Sequence, residues 1–173
     1  MGSSGDARLM YLLNSEVVLE LRRAKAGRAD PGLSAWAAGV SRHHLFLSAL
    51  TLLELGNGAA QVERKDKLGG AALRDWIEGP VTTAFEGRIL AIDAAVVRRR
   101  ARLPYADARD ALLAATAIEH GLTLVTRHTA AFKAGRVKLF NPWGYTPDDT
   151  DDGDWRQAAR SGPVWLKNLF VRA

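Results

Sequence analysis

The stretch Arg109–Phe132, RDALLAATAIEHGLTLVTRHTAAF, constrains the fold most, because it leaves almost no slack between a helix, a strand and a polar turn. Asp110 opens an Ala/Leu-rich run. Ala111, Leu112, Ala114, Ala115 and Ile118 cover one broad face of a helix that Gly121 is placed to end. Leu122, Leu124 and Val125 predict a short buried strand. Thr126, Arg127 and His128 follow at its carboxyl end, the edge of an open α/β sheet where ligands usually bind.

The same order recurs upstream. Met10–Leu13 is a short apolar run, Asn14 and Ser15 are good helix caps, and Val17, Val18 and Leu21 recur at helical spacing. After a polar segment with Pro31 and Gly32, a helix around Trp36 leads through His43 and His44 to a second short strand, Leu45-Phe46-Leu47. Ser48 can cap the helix that follows. Gln61–Gly79 reads as helical with an interruption at Gly69-Gly70, and Leu73, Trp76 and Ile77 form a core stripe. Ile89, Leu90 and Ile92 make another strand, with Asp93 as N-cap of a helix that Pro104 ends. Val137, Leu139 and Phe140 make the last. Five strand candidates alternating with helices predict a parallel α/β sheet.

Asn14, Glu54 and Asp110 each follow the end of an element and precede an apolar helical face. Glu54 stands among Leu50, Leu52, Leu53 and Leu55, so its carboxylate is partly desolvated and calls for a partner or a metal. A capping box of Thr51 and Glu54 fits the spacing equally well. Asp110 alone reads first as a helix cap or dipole partner. Arg98, Arg99, Arg100 and Arg102 either face RNA phosphates or form a solvated helix face.

At 173 residues and 47% apolar content the chain suits one domain with a substantial core. It has no cysteine, which excludes disulfides and thiolate metal sites and is consistent with a reducing cytoplasm. No apolar run is long enough to span a membrane. Gly144–Ala173 carries five acids against four bases, so the net +5 of the chain becomes +6 on the remainder. That balance suits a polyanion such as RNA, and equally an Arg-rich surface serving solubility.

Other chemistries fail on their spacing. Gly56-Asn57-Gly58 follows a helix and has Gln61 in the third glycine position, so it is no dinucleotide fingerprint. No nucleophile elbow or Walker loop occurs, and His43, His44, His120 and His128 lack zinc spacing. The cluster Asp148, Asp149, Asp151, Asp152 and Asp154 misses the EF-hand register, with Thr150 third and Ala159 twelfth. It reads as an acidic linker before Trp155, Val164, Trp165, Leu166, Leu169 and Phe170, which can pack on the domain or on a second subunit.

Three stretches resemble the PIN domain, the nuclease domain of the VapC and FitB toxins. Leu12–Leu21, LLNSEVVLEL, is similar to that family's Leu-Leu-Asp-Thr-Asn-Val-Val-Ser-Glu-Leu opening; the run through Glu54 is similar to its second acidic motif. The stretch from Asp110 matches its Asp-Ala-Leu-Ile-Ala-Ala-Thr-Ala and Thr-Arg-Asn segments. Asn14 stands where the family has Asp, His128 where it has Asn, and Ala131 where it has Asp. The resemblance implies a single PIN-like domain over 10–143, a parallel central sheet flanked by helices, with an arm over 1–9 and an extension over 144–173.

It further implies a cytoplasmic toxin of a toxin–antitoxin pair, an endoribonuclease using Mg²⁺ or Mn²⁺. Glu54, Asp110 and Asn14 would be its metal ligands, Thr126 a further catalytic residue, and Arg127 and His128 the RNA contacts. A homodimer and a small antitoxin whose tail enters the acidic groove are implied as partners. Two of the four usual acids are missing. At about 4 Å and an effective dielectric near 20, each lost carboxylate removes several kcal/mol of cation attraction before desolvation, so activity is expected to be weakened. Asn14 can still offer its amide oxygen, and Glu16 can swing in to restore one charge. The alternative is an inactive PIN-fold protein that acts by binding RNA or an antitoxin-like partner.

Overall fold

The computed structural model describes residues 9–24 and 26–147. The tail expectations, the Asp cluster and Trp155–Phe170 included, lie outside the described residues.

Five short strands, β1 (Tyr11–Leu13), β2 (Leu45–Ser48), β3 (Ile89–Leu90), β4 (Thr123–Val125) and β5 (Leu139–Phe140), form one parallel sheet in the order β3-β2-β1-β4-β5. The expected fold class is therefore what the chain adopts. Tyr11 pairs in register with Leu45 on one side and Thr123 on the other, so β1 is central. Strand order reverses there, and in such sheets ligand crevices open beyond the carboxyl ends of the strands at the reversal. The predicted strand ends Ile92 and Val137 lie just outside β3 and β5.

Successive strand residues face opposite sides of a sheet, which explains why two cores form. Leu13 and Val125 join one core with Val17, Val18 and Leu21 of α1 (Ser15–Ala24) and with Leu33 and Trp36 of α2 (Pro31–Gly39). Leu12 and Leu124 join the other with Leu113, Ala114 and Phe132. Full burial of each large aliphatic side chain contributes about 1.5–3 kcal/mol. Tyr11, Trp36 and Phe140 add edge and tilted ring contacts with centroids 5.2–6.2 Å apart.

Several local expectations are corrected by the capping. Pro31 and Gly32 start α2 rather than precede it, because Asp30 caps it by accepting from the Leu33 N–H. The helix α3 (Ala49–Glu63) is capped by Ser48, whose Oγ accepts from the Leu50 N–H. Thr51 is thus inside α3, donating to the Leu13 carbonyl, and the Thr51–Glu54 capping box does not form.

The break after α3 falls at Arg64–Asp66, and Gly69-Gly70 lies within α4 (Lys67–Trp76). Gly70 serves close packing: a Cβ there would run into the Glu63 backbone. Leu73, Trp76 and Ile77 are buried as expected. After α4 the helix widens to a π turn over Ile77–Val81, where Pro80 has no N–H to offer, and closes with the single turn α5 (Thr82–Ala84). Asp93 caps α6 (Ala94–Arg100), as predicted.

Asp110 does not open its helix. Asp107 caps α7 (Ala108–Glu119), accepting from the N–H groups of Arg109 and Asp110, and those bonds hold its carboxyl below the usual range. Asp110 is left in the first turn with its side chain free for other work. Gly121, at φ 66°, adopts the left-handed conformation that ends the helix.

Candidate functional site

The sheet ladder continues one residue past β1 and β4. The Asn14 N–H donates to the Val125 carbonyl at 3.1 Å and the Thr126 N–H to the Phe140 carbonyl at 3.0 Å. That sets Asn14 and Thr126 beside each other at the reversal point, and the Asn14 amide donates to Thr126 Oγ1 at 3.3 Å. The first turns of α1 and α7 and the second turn of α3 then project Glu16, Asp110 and Glu54 toward the same edge. A cleft of about 410 Å³ opens here, lined by Asn14, Ser15, Glu16, Glu54, Arg109, Asp110, His128, Ala131 and Phe132. Three of the predicted residues, Asn14, Glu54 and Asp110, are therefore brought together from three distant parts of the chain, with His128 beside them.

Glu16 is the most heavily bonded of the acids. Its Oε1 accepts from Thr126 Oγ1 and from the Arg127 N–H, both at 2.7 Å, while Oε2 lies 3.0 Å from His128 Nε2. Thr126 is fully buried, and its hydroxyl gives its proton to Glu16 while accepting from Asn14 and from the His128 N–H at 3.1 Å. All the usual bonding positions of that hydroxyl are filled. Glu54 is paired with Arg109, Nε to Oε1 at 3.0 Å, and its side chain is only 13% exposed. Asn14 Oδ1 accepts from the Ser15 N–H at 2.8 Å, which ties it to the start of α1.

Asp110 differs from the other acids. Among the described residues its carboxylate forms no hydrogen bond or ion pair. Its pKa is raised, first by burial and then by the nearby Asp107 charge, with Arg109 and His128 pulling the other way through space. A partly buried carboxylate without a donor is an unfavourable state that a cation or a proton relieves.

Arg127 turns away from these acids. Its guanidinium lies over the Trp143 ring at 5.7 Å, and it is not among the residues lining the cleft. The His128 side chain is 72% exposed at the mouth. Ala131 is exposed in the lining and contributes no oxygen.

The donors fit a hard, loosely held cation by type: carboxylates and an amide oxygen, with Mg²⁺ usually held by one or two carboxylates and water. They do not form a closed chelate, since among the described residues no three His, Cys, Asp or Glu side chains converge as a metal-binding group. Two features go beyond the sequence expectations: the role of Arg109, for which a cation directly before Asp110 is the visible signal, and the full engagement of Glu16, which depends on its meeting the turn after β4.

Known proteins resemble this chain over most of its length. The chain is 33% identical over 143 residues to the VapC ribonuclease Y4jK of Sinorhizobium fredii, covering 78% of this chain and 98% of that protein. It is 34% identical over 142 residues to the toxin FitB of Neisseria gonorrhoeae, covering 78% and 99% respectively. The crystal structure of FitAcB from Neisseria gonorrhoeae matches with a TM-score of 0.69 at 32% identity, over 78% of this chain and 99% of that one. The family model of the PIN domain matches residues 11–136, most of the described chain and every residue of the cleft, and the chain belongs to the PIN domain family.

Proposed function

We propose that this protein is the toxin of a toxin–antitoxin pair and a metal-dependent endoribonuclease whose cleavage is weakened by Asn14 and Ala131. The observation that carries this reading is the cleft in which Asn14, Glu54 and Asp110 meet at the sheet reversal. Relatives named as a ribonuclease and as a toxin support the class of activity. Glu54, Asp110 and Asn14 would hold Mg²⁺ or Mn²⁺. Such an ion, when bound, makes water a better nucleophile and offsets phosphate charge.

The chain's own residues do the rest. Glu16 fixes the turn Thr126-Arg127-His128 through three contacts, which holds Thr126 against Asn14. Arg109 presents a guanidinium and His128 an imidazole N–H at the cleft, and Arg127 presents a guanidinium beside it, suited to phosphates of an RNA strand. An antitoxin and a second copy of the chain are the expected partners, in the cytoplasm. The similar structure of FitAB bound to a DNA fragment, 31% identical to this chain, supports the first of these. A more apolar groove of about 540 Å³ shares Ser15 and Glu54 with the cleft and continues along Leu19, Leu55, Val62 and Leu73, a suitable bed for an antitoxin segment. No helix among the described residues is long and apolar enough to cross a membrane.

A binding protein without catalysis is the second reading, favoured by the pairing of Glu54 with Arg109 and the absence of a closed acidic cluster among the described residues. RNA cleavage in Mg²⁺ or Mn²⁺ by the wild type and by Asp110→Ala separates the two. Slow cleavage lost in the variant supports the nuclease, and no cleavage by either supports the binder.

A further inference from the structure

Arg109 follows the cap residue of α7 by two positions, and its Nε meets Glu54 Oε1 at 3.0 Å. The Glu54 side chain is 13% exposed and that of Arg109 60%, so the carboxylate is set into the cleft and the guanidinium comes to it from the solvent side. The same guanidinium acts through space on Asp110, the one acid of the cleft with no hydrogen bond or ion pair among the described residues. Glu16 is taken by Thr126, Arg127 and His128. Glu54 is thus balanced by a cation of the chain's own, Arg109.

We propose that Arg109 is a built-in counter-cation: it occupies Glu54 when no divalent ion is present and must leave before such an ion can use that carboxylate. The inference rests on the reading that Glu54 and Asp110 together take a hard cation. Its physical basis is competition. A guanidinium and a divalent ion repel each other, and both draw on the same pair of carboxylates. The exposed guanidinium is free to swing into water, so the block is partial and reversible, as expected for an ion pair with one solvated partner. A purely structural ion pair would affect stability and leave ion affinity alone.

Titration of the purified protein with Mn²⁺ alone, by calorimetry, tests this without any reaction. Arg109→Gln should bind Mn²⁺ roughly three- to tenfold more tightly at low salt, with the gain shrinking as salt screens the guanidinium. Arg109→Lys, which keeps the charge, should stay near the wild type. Arg23 is equally exposed at 60% and pairs with Glu20 at 3.1 Å, outside the cleft, so Arg23→Gln controls for the loss of one positive charge. Equal or weaker Mn²⁺ binding by Arg109→Gln, or an equal gain in Arg23→Gln, would overturn the proposal and leave the cation reading standing. If neither the wild type nor Arg109→Gln binds Mn²⁺, the cation reading itself fails and takes this inference with it.

Discussion

Asn14→Asp restores an acid at the head of the cleft, and its first effect should be harmful. Oδ1 keeps its bond from the Ser15 N–H, but the group facing Thr126 Oγ1 at 3.3 Å changes from a donor to an acceptor. The Thr126 proton already goes to Glu16 Oε1 at 2.7 Å. If Thr126 turns its proton to the new carboxylate instead, Glu16 loses that bond, so one hydrogen bond disappears either way. The lost bond costs about 0.5–1.5 kcal/mol. The new charge also joins Glu16, Glu54 and Asp110 in one cleft, and at an effective dielectric near 20 this adds repulsion of about 1 kcal/mol or more.

Without metal the variant should therefore lose about 2 kcal/mol, which for a domain of this size lowers Tm by roughly 4–8 °C. Mn²⁺ at a hundredfold excess over its Kd would return about 2.7 kcal/mol. Thermal unfolding followed by circular dichroism, once in chelator and once in Mn²⁺, measures both terms. A variant as stable as the wild type in chelator would refute the hydrogen-bond reasoning. A deficit that Mn²⁺ does not reduce would refute the placement of position 14 at a cation site.

Asn14→Asp combined with Ala131→Asp should raise RNA cleavage well above the wild type, and adding Asp110→Ala should remove the gain; no gain would mean that the cleft serves another purpose. Asp110→Asn should raise the stability of the metal-free protein at neutral pH. The raised pKa of Asp110 means that its charged form is disfavoured on folding, a cost fully present above the folded pKa and absent below the unfolded value of 3.8. The advantage of the variant should accordingly fade as the pH falls through that window in denaturant melts. Gly70→Ala should cost about 1–3 kcal/mol, read as a lowered urea midpoint, because a Cβ there meets the Glu63 backbone across the α3–α4 contact.

The strands, their parallel pairing and the caps Ser48 and Asp93 were legible because each rests on a local signal: an apolar run, then a capping residue. The gathering of Asn14, Glu54 and Asp110 was legible only in part: Asn14 lies just past β1 at the strand edge, while Glu54 in the second turn of α3 and Asp110 in the first turn of α7 reach it through helix packing. What depended on crossings between elements was hidden. Gly69-Gly70 looks like a break until α4 is seen to need Gly70 for its approach to Glu63. Thr51 suits a cap until Ser48 is found capping the helix one turn earlier. Glu16 and His128 are far apart in sequence, yet their side chains meet at 3.0 Å, a pairing no local pattern contains. The Arg109–Glu54 pair is of the same kind, formed only where α7 passes α3.

The most direct measurement is Mg²⁺ and Mn²⁺ binding to the purified wild-type protein by calorimetry, with RNA cleavage assayed on the same samples and Asp110→Ala as control. A weakened PIN nuclease gives weak but measurable binding and slow cleavage, both lost in Asp110→Ala. Failure to bind either ion, with no cleavage, or cleavage that survives Asp110→Ala, would contradict it.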